Sequence, residues 1–175
     1  MYLRIANRDD IPDIEALMAV SMAALLPKFL DPKQVERSSE SMGVDTLLID
    51  DGTYFLVYLE DVLVGCGGWS RRRTLFGGNH TSGRDDALAD PTSEPAKIRA
   101  MYTHPDFVRR GIGRALLQAG EEAARKEGFK TMEMGSTAPG RPLYEACGYA
   151  FVEDLSHPSE DGTVVPILRM RKRLV

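Results

Sequence analysis

Gly111 and Gly113, flanked by Arg109, Arg110 and Arg114, sit where an extended run ends and a helical pattern begins. Those residue types suit anion binding. The first amides of a helix have no intrahelical acceptor, and its dipole places about half a positive charge at that end. Glycines let a phosphate come close to the backbone because no Cβ intervenes. The arginines add positive charge around it. Two familiar phosphate-binding patterns do not fit. A dinucleotide fingerprint needs a third glycine where Leu116 stands, and a nucleotide-hydrolase loop needs a Gly-Lys-Ser/Thr that is absent. A plain helix cap and a cradle for some other phosphorylated group are the readings left open.

The elements around this loop alternate between strand and helix. Residues 2–6 alternate as a strand, and Asp9 or Asp10 with Pro12 can start a helix carrying Ile14, Leu17, Met18, Met22 and Leu25 on one face. Asp31-Pro32 starts a second helix that should end near Gly43. Strands are expected over 53–59 and 62–69, joined by Glu60-Asp61 as a tight hairpin. Residues 70–96 show no period and read as a long loop, either a functional segment or a surface insertion. A strand over 98–103 then leads into the glycine loop, and the helix after it runs from about Gly111 to Glu127, closed by Gly128. A strand over 131–136, a short helix over 142–147, and strands over 149–154 and 164–170 complete the chain. No repeat or linker suggests a second domain, so 1–175 is expected to be one.

Composition narrows the function class. The chain is 43% apolar and 27% charged, as in ordinary globular proteins, and its net charge of −4 argues against general nucleic-acid binding. The clusters Arg71–Arg73 and Arg171–Arg173 read as solvated surface first and anion patches second. Cys66 and Cys147 have no metal-ligand spacing, so no metal is expected and both thiols suit a reducing cytoplasm. No secretion signal or membrane-spanning run is present.

Pro105, then Arg109-Arg110-Gly111-Ile112-Gly113 and Leu116-Leu117 after a strand, and further on Leu143-Tyr144-Glu145-Ala146-Cys147-Gly148-Tyr149, together resemble the GNAT family of N-acetyltransferases. The resemblance covers nearly the whole chain and is specific for the family, not for a substrate. It implies an α/β fold of the α+β kind, a mixed and mostly antiparallel central sheet of about six to seven strands flanked by about four helices. Two central strands, near 97–104 and 130–137, would splay to admit the pantetheine arm of acetyl-CoA. The pyrophosphate would rest on Val108, Arg109, Arg110, Gly111, Ile112, Gly113 and Arg114, with Met101, Tyr102 and Thr103 beside the thioester and a backbone N–H there stabilising its oxygen. Val108 stands where the family usually carries Arg or Gln. Its amide is unchanged, so a cradle built from backbone amides survives that departure.

The implied chemistry sets two proton problems. Freeing an alkyl ammonium of pKa ~10.4 at pH 7 costs ~4.6 kcal/mol, so a base or a water chain should be present. The departing thiolate needs a proton, and transfer from a phenol is uphill by only roughly 2 kcal/mol. By the resemblance Tyr144 is that acid; the alternative is a tyrosine packing its ring in the core. The base is open, with Glu94 nearest the strand and His80 and His104 further candidates. Lys97 and Arg99 share a strand face with Met101 and Thr103. They either bind an acidic group on the acceptor or are neutralised by carboxylates such as Glu94 or Glu133. Cys147 and Cys66 read as small buried residues. The expected enzyme acetylates a small-molecule amine, with a homodimer possible by analogy; a CoA-binding module without catalysis is the alternative.

Overall fold

The computed structural model describes residues 1–175. The chain runs β1 Tyr2–Ile5, α1 Ile11–Leu25, α2 Pro32–Ser38, α3 Thr46–Asp50, β2 Tyr54–Leu59, β3 Val62–Ser70 and β4 Ala96–Thr103. It continues α4 Ile112–Lys126, β5 Thr131–Ser136, α5 Arg141–Ala146, β6 Ala150–Asp154 and β7 Leu168–Arg173, with short 3-10 turns at Arg8–Asp10, Leu26–Lys28 and Pro105–Phe107. Most elements lie where periodicity and turn residues place them. α1 starts differently: Asp10 does not cap it by side chain, because its carboxylate accepts from the Asn7 amide and from Arg4.

The strands form one seven-stranded sheet in the order β1-β2-β3-β4-β5-β7-β6. Only β4 and β5 run parallel, so the sheet is mixed and mostly antiparallel, as the resemblance implies. The β2–β3 hairpin turns at Glu60 (φ 48) and Asp61 (φ 66), the positive-φ pair that matches strand twist. β4 and β5 meet at Ala96 with Met132 and Lys97 with Glu133, and at no later residue. Beyond that point they diverge and leave a cleft between two central strands.

α4 and α5 cover one face of the sheet over Trp69, Ile98, Leu117, Met132, Met134 and Tyr149. α1 and α3 cover the other, over Ile14, Leu17, Leu48, Tyr54, Leu56 and Tyr102. The N-terminus of α4 is anchored by buried Ile112, whose Cγ2 occupies the space a side chain at Gly65 of β3 would fill. That close approach aims the helix mouth at the C-terminal end of β4.

A bulge alters the expected facing of β4. Arg99 opposes Gly68 and Tyr102 opposes Cys66, so Ala100 and Met101 together oppose Gly67. Ala100 takes φ 50, and its carbonyl accepts from the Tyr54 hydroxyl at 2.7 Å. The extra residue resets the alternation. Met101 therefore packs toward α4, while Tyr102 joins the α1 face that strict alternation would have denied it.

Three further departures have local causes. α2 ends at Ser38, well short of Gly43, and α3 follows as a separate turn capped by Asp45. β7 begins at Leu168 because Pro166 has no N–H to give a ladder; Val164 makes only an isolated bridge with Pro158. Residues 71–95 are bonded back onto the sheet: Arg72 bridges Leu88 and pairs with Asp51, and Arg84 pairs with Asp45.

Candidate functional site

The loop before α4 is a run of free donors. No amide from Val108 to Arg114 has an acceptor in the chain; the first helical bond is Ala115 N–H to the Gly111 carbonyl. Arg109 (φ 65) and Gly111 (φ 82) adopt left-handed backbone that turns the chain tightly into the helix. The arginines around it are equally free. Every other arginine but Arg173 has a carboxylate partner, whereas Arg109, Arg110 and Arg114 have none. Arg110 lies over the Phe107 ring at 5.1 Å. By contrast Arg71, Arg72 and Arg73 are paired with Glu127, Asp51 and Glu94, which leaves no cationic patch there.

The splay between β4 and β5 opens as two lobes that share Met42, Met101, Tyr102, Thr137 and Tyr144. The outer lobe reaches Thr103 and Gly113 at the helix mouth. The inner lobe reaches Arg99, Leu75, Phe76 and Ile167. Gly113 and the β4 backbone thus join the free amides to a channel running into the sheet. A Cβ at Gly113 would meet Leu143 Cδ2 at 2.5 Å, so this glycine also lets α5 close against α4.

Tyr144 stands at the junction of the lobes. It is 7% exposed, its ring meets Tyr149 edge-on at 6.2 Å, and burial holds its hydroxyl well above the ordinary tyrosine range. The hydroxyl bonds to no protein group, and it is not sealed off, because no fully enclosed side-chain oxygen or nitrogen lacks a partner. The ring packs in the core, as one of the two expectations has it, and the residue also lines the cleft.

The two basic residues of β4 diverge in setting. Lys97 is 5% exposed, 3.4 Å from Glu133, donates to the Pro95 carbonyl, and lines neither lobe. Burial lowers its pKa despite Glu133. Arg99 is 3% exposed and lines the inner lobe; its pKa is lowered by burial against the pull of Asp45 at 2.9 Å. Glu133 was one of the carboxylates anticipated. Asp45 was not, since nothing in its local sequence distinguishes an ion-pairing aspartate from a helix cap, and it is both.

The expected bases stand apart from the cleft. The Glu94 carboxylate accepts from Arg73 and from the Asp90 amide, and it lines neither lobe. His104 accepts from the Asp106 amide at its own helix start, and His80 contacts the Ser39 carbonyl. No carboxylate or imidazole lines either lobe. Cys66 is buried, with its thiol pushed up to about 12 by burial, and both cysteines are free. No group of residues has metal-ligating geometry, and no helix is long and apolar enough to cross a membrane.

Sequence and structure comparisons agree with this geometry. A curated relative, an uncharacterised N-acetyltransferase called YsnE from Bacillus subtilis, is 27% identical over 129 residues, 71% of this chain and 73% of that one. A GCN5-related N-acetyltransferase from Rhodopseudomonas palustris superposes with TM-score 0.70 at 18% identity, covering 98% of this chain and 94% of its own. YncA of Salmonella typhimurium, a putative acetyltransferase solved with its cofactor acetyl-CoA, gives 0.65 at 17% identity, covering 100% and 94%. The model of the acetyltransferase (GNAT) family matches residues 22–149, from the last turn of α1 through α5. The free-amide loop, the splayed strands and Tyr144 all fall inside that match, and the chain belongs to the GNAT family of N-acetyltransferases.

Proposed function

We propose that the chain transfers the acetyl group of acetyl-CoA to a primary amine of a small-molecule acceptor, by direct attack of the amine on the thioester. One observation carries this reading: the run of acceptor-free amides Val108–Arg114 reaches, at Gly113, the same cleft that Tyr144 lines with its hydroxyl unpartnered.

The chain's residues fit CoA part by part. The pyrophosphate suits the loop amides, with Arg109, Arg110 and Arg114 as flanking charge and buried Ile112 fixing the loop. Val108 takes part through its amide alone. The pantetheine arm carries amides of its own and suits the open edge of β4. His104 N–H donates to Val64 of β3, so by strand alternation the Thr103 and Met101 amides point the other way, where β5 has diverged. The Met101 amide is then placed for the thioester oxygen as it takes on charge. Bound acetyl-CoA supplies an activated acyl carbon and a thiolate leaving group.

Tyr144 protonates the departing sulfur. Its raised pKa keeps the hydroxyl protonated at neutral pH, and the same dry surroundings raise the thiolate's basicity, so donor and acceptor stay matched. With no carboxylate or imidazole on the lobes, the amine's proton leaves to water, and Glu94 would act only at a distance. The cytoplasmic setting rests on the two free thiols. A second copy of the chain would find its edge at β6, which is exposed along its length.

The same lack of a base favours a second reading, a CoA-binding module without catalysis. Release of free thiol from acetyl-CoA against a panel of amines separates the two. Amine-dependent release supports the transferase. A protein stabilised by CoA yet inert to every amine supports the module.

A further inference from the structure

The inner lobe has one charged wall residue. Leu75, Phe76, Met134 and Ile167 give it apolar surface beside its polar surface, and Arg99 is the single charged residue lining it. The guanidinium is held rigidly: Nη2 donates to Asp45 at 2.9 Å and to the Gly77 carbonyl at 2.6 Å, and Nη1 to the Thr74 carbonyl at 3.2 Å. Its Nε–H has no partner in the chain. Since no fully enclosed side-chain nitrogen lacks a partner, Nε keeps some accessible surface, and Arg99 is among the residues that line the lobe.

Asp45, at the cap of α3, is the counter-ion of Arg99 and lines neither lobe. It is shared with Arg84, whose Nη2 lies 3.0 Å from it and 3.1 Å from Asp86. What Arg99 offers the lobe is therefore a donor N–H and not an unbalanced charge. A fixed guanidinium N–H on a wall that carries no carboxylate suits an oxyanion better than an ammonium group. Apolar surface around that anion point suits an aliphatic body.

We propose that the acceptor is a small amine that carries a carboxylate, an amino acid with an apolar side chain, and that Arg99 Nε–H seats its carboxylate while its amine faces the Tyr144 junction. This rests on the acetyl-transfer reading above. In the reaction a bond forms between the amine nitrogen and the acetyl carbon, and the carbon–sulfur bond breaks. The nitrogen's surplus proton leaves to water. The thiolate takes a proton from Tyr144, which regains one from solvent.

The test compares L-leucine, L-leucinamide and isopentylamine as acceptors for the full chain, by thiol release from acetyl-CoA. L-leucine is expected to exceed both others in kcat/KM by about tenfold or more, because a site built around a charge partner rejects analogues that leave it unpaired. The amide's amine is less basic, so more of it is free base at neutral pH and the comparison is biased against the proposal. Arg99→Lys is expected to raise KM for L-leucine with CoA affinity unchanged; the wild-type series alone decides if that variant does not fold. Equal or better turnover of the amide or of isopentylamine would overturn the inference. If none of the three releases thiol while polyamines or lysine do, the inference fails and acetyl transfer stands. If no amine does, both fail.

Discussion

Gly140 stands against the ring of Tyr144: a Cβ there would come within 2.7 Å of Cε2 and 3.3 Å of the hydroxyl. The glycine precedes α5 with ordinary helical backbone, so it is needed for space and not for conformation. Gly140→Ala should fold normally and push the phenol out of line. Turnover is expected to fall about tenfold, since small misplacements at a reacting centre are costly, with CoA affinity held within about twofold. Wild-type turnover in that variant would show that the ring's position is unimportant.

The free arginines predict a separation of binding from stability. Arg109, Arg110 and Arg114 hold no carboxylate, so changing each to Gln should leave the thermal midpoint of the apo protein unchanged. CoA affinity should weaken about two- to fivefold for each change, and less so as salt is raised. Calorimetric titration at two ionic strengths checks this. A large loss of apo stability would mean that these side chains hold the loop itself.

Tyr144 also predicts a pH profile. Burial raises its pKa, so the proton it donates is retained to a higher pH than an ordinary tyrosine would allow. The rate should climb with pH as the amine loses its proton and show no falling limb from the acid below about pH 10. A downturn near pH 8 that Tyr144→Phe abolishes would reverse the sign of the proposed environment.

Asp45 holds two guanidinium groups, Arg99 and Arg84, and is 3% exposed. Asp45→Asn keeps the shape and leaves buried positive charge without its counter-ion. A loss of about 3 kcal/mol or more is expected, read as a drop of roughly 10 °C in the thermal midpoint. A shift within a degree or two would show that the carbonyls of Thr74 and Gly77 suffice to hold Arg99.

The strand, glycine loop and helix from Ala96 to Lys126 were legible in the sequence because each carries a local signal. Alternation marks β4, positive-φ glycine and proline mark the turn, and Ile112, Ala115, Leu116, Ala119 and Ala123 mark one helix face, although the buried positions beside Ile112 and Leu116 are Leu117, Gly120, Glu121 and Ala124. What was not legible depends on partners distant in the chain. α3 is too short to show a period, and the β4 bulge arises from Gly67 and Tyr54 on neighbouring strands. The bulge alone moves Met101 from the face that alternation assigned it. Asp45 meets Arg99 only through the fold, and a carboxylate near in sequence, Glu94, is drawn to Arg73 instead.

The most direct measurement is CoA binding and acetyl transfer by Tyr144→Phe beside the wild type. The substitution removes one oxygen and keeps the ring, with its edge-on contact to Tyr149, in place. CoA affinity is expected to stay within about twofold while kcat falls more than about tenfold. A variant with wild-type kcat would contradict the assignment of Tyr144 as the acid that releases the thiol.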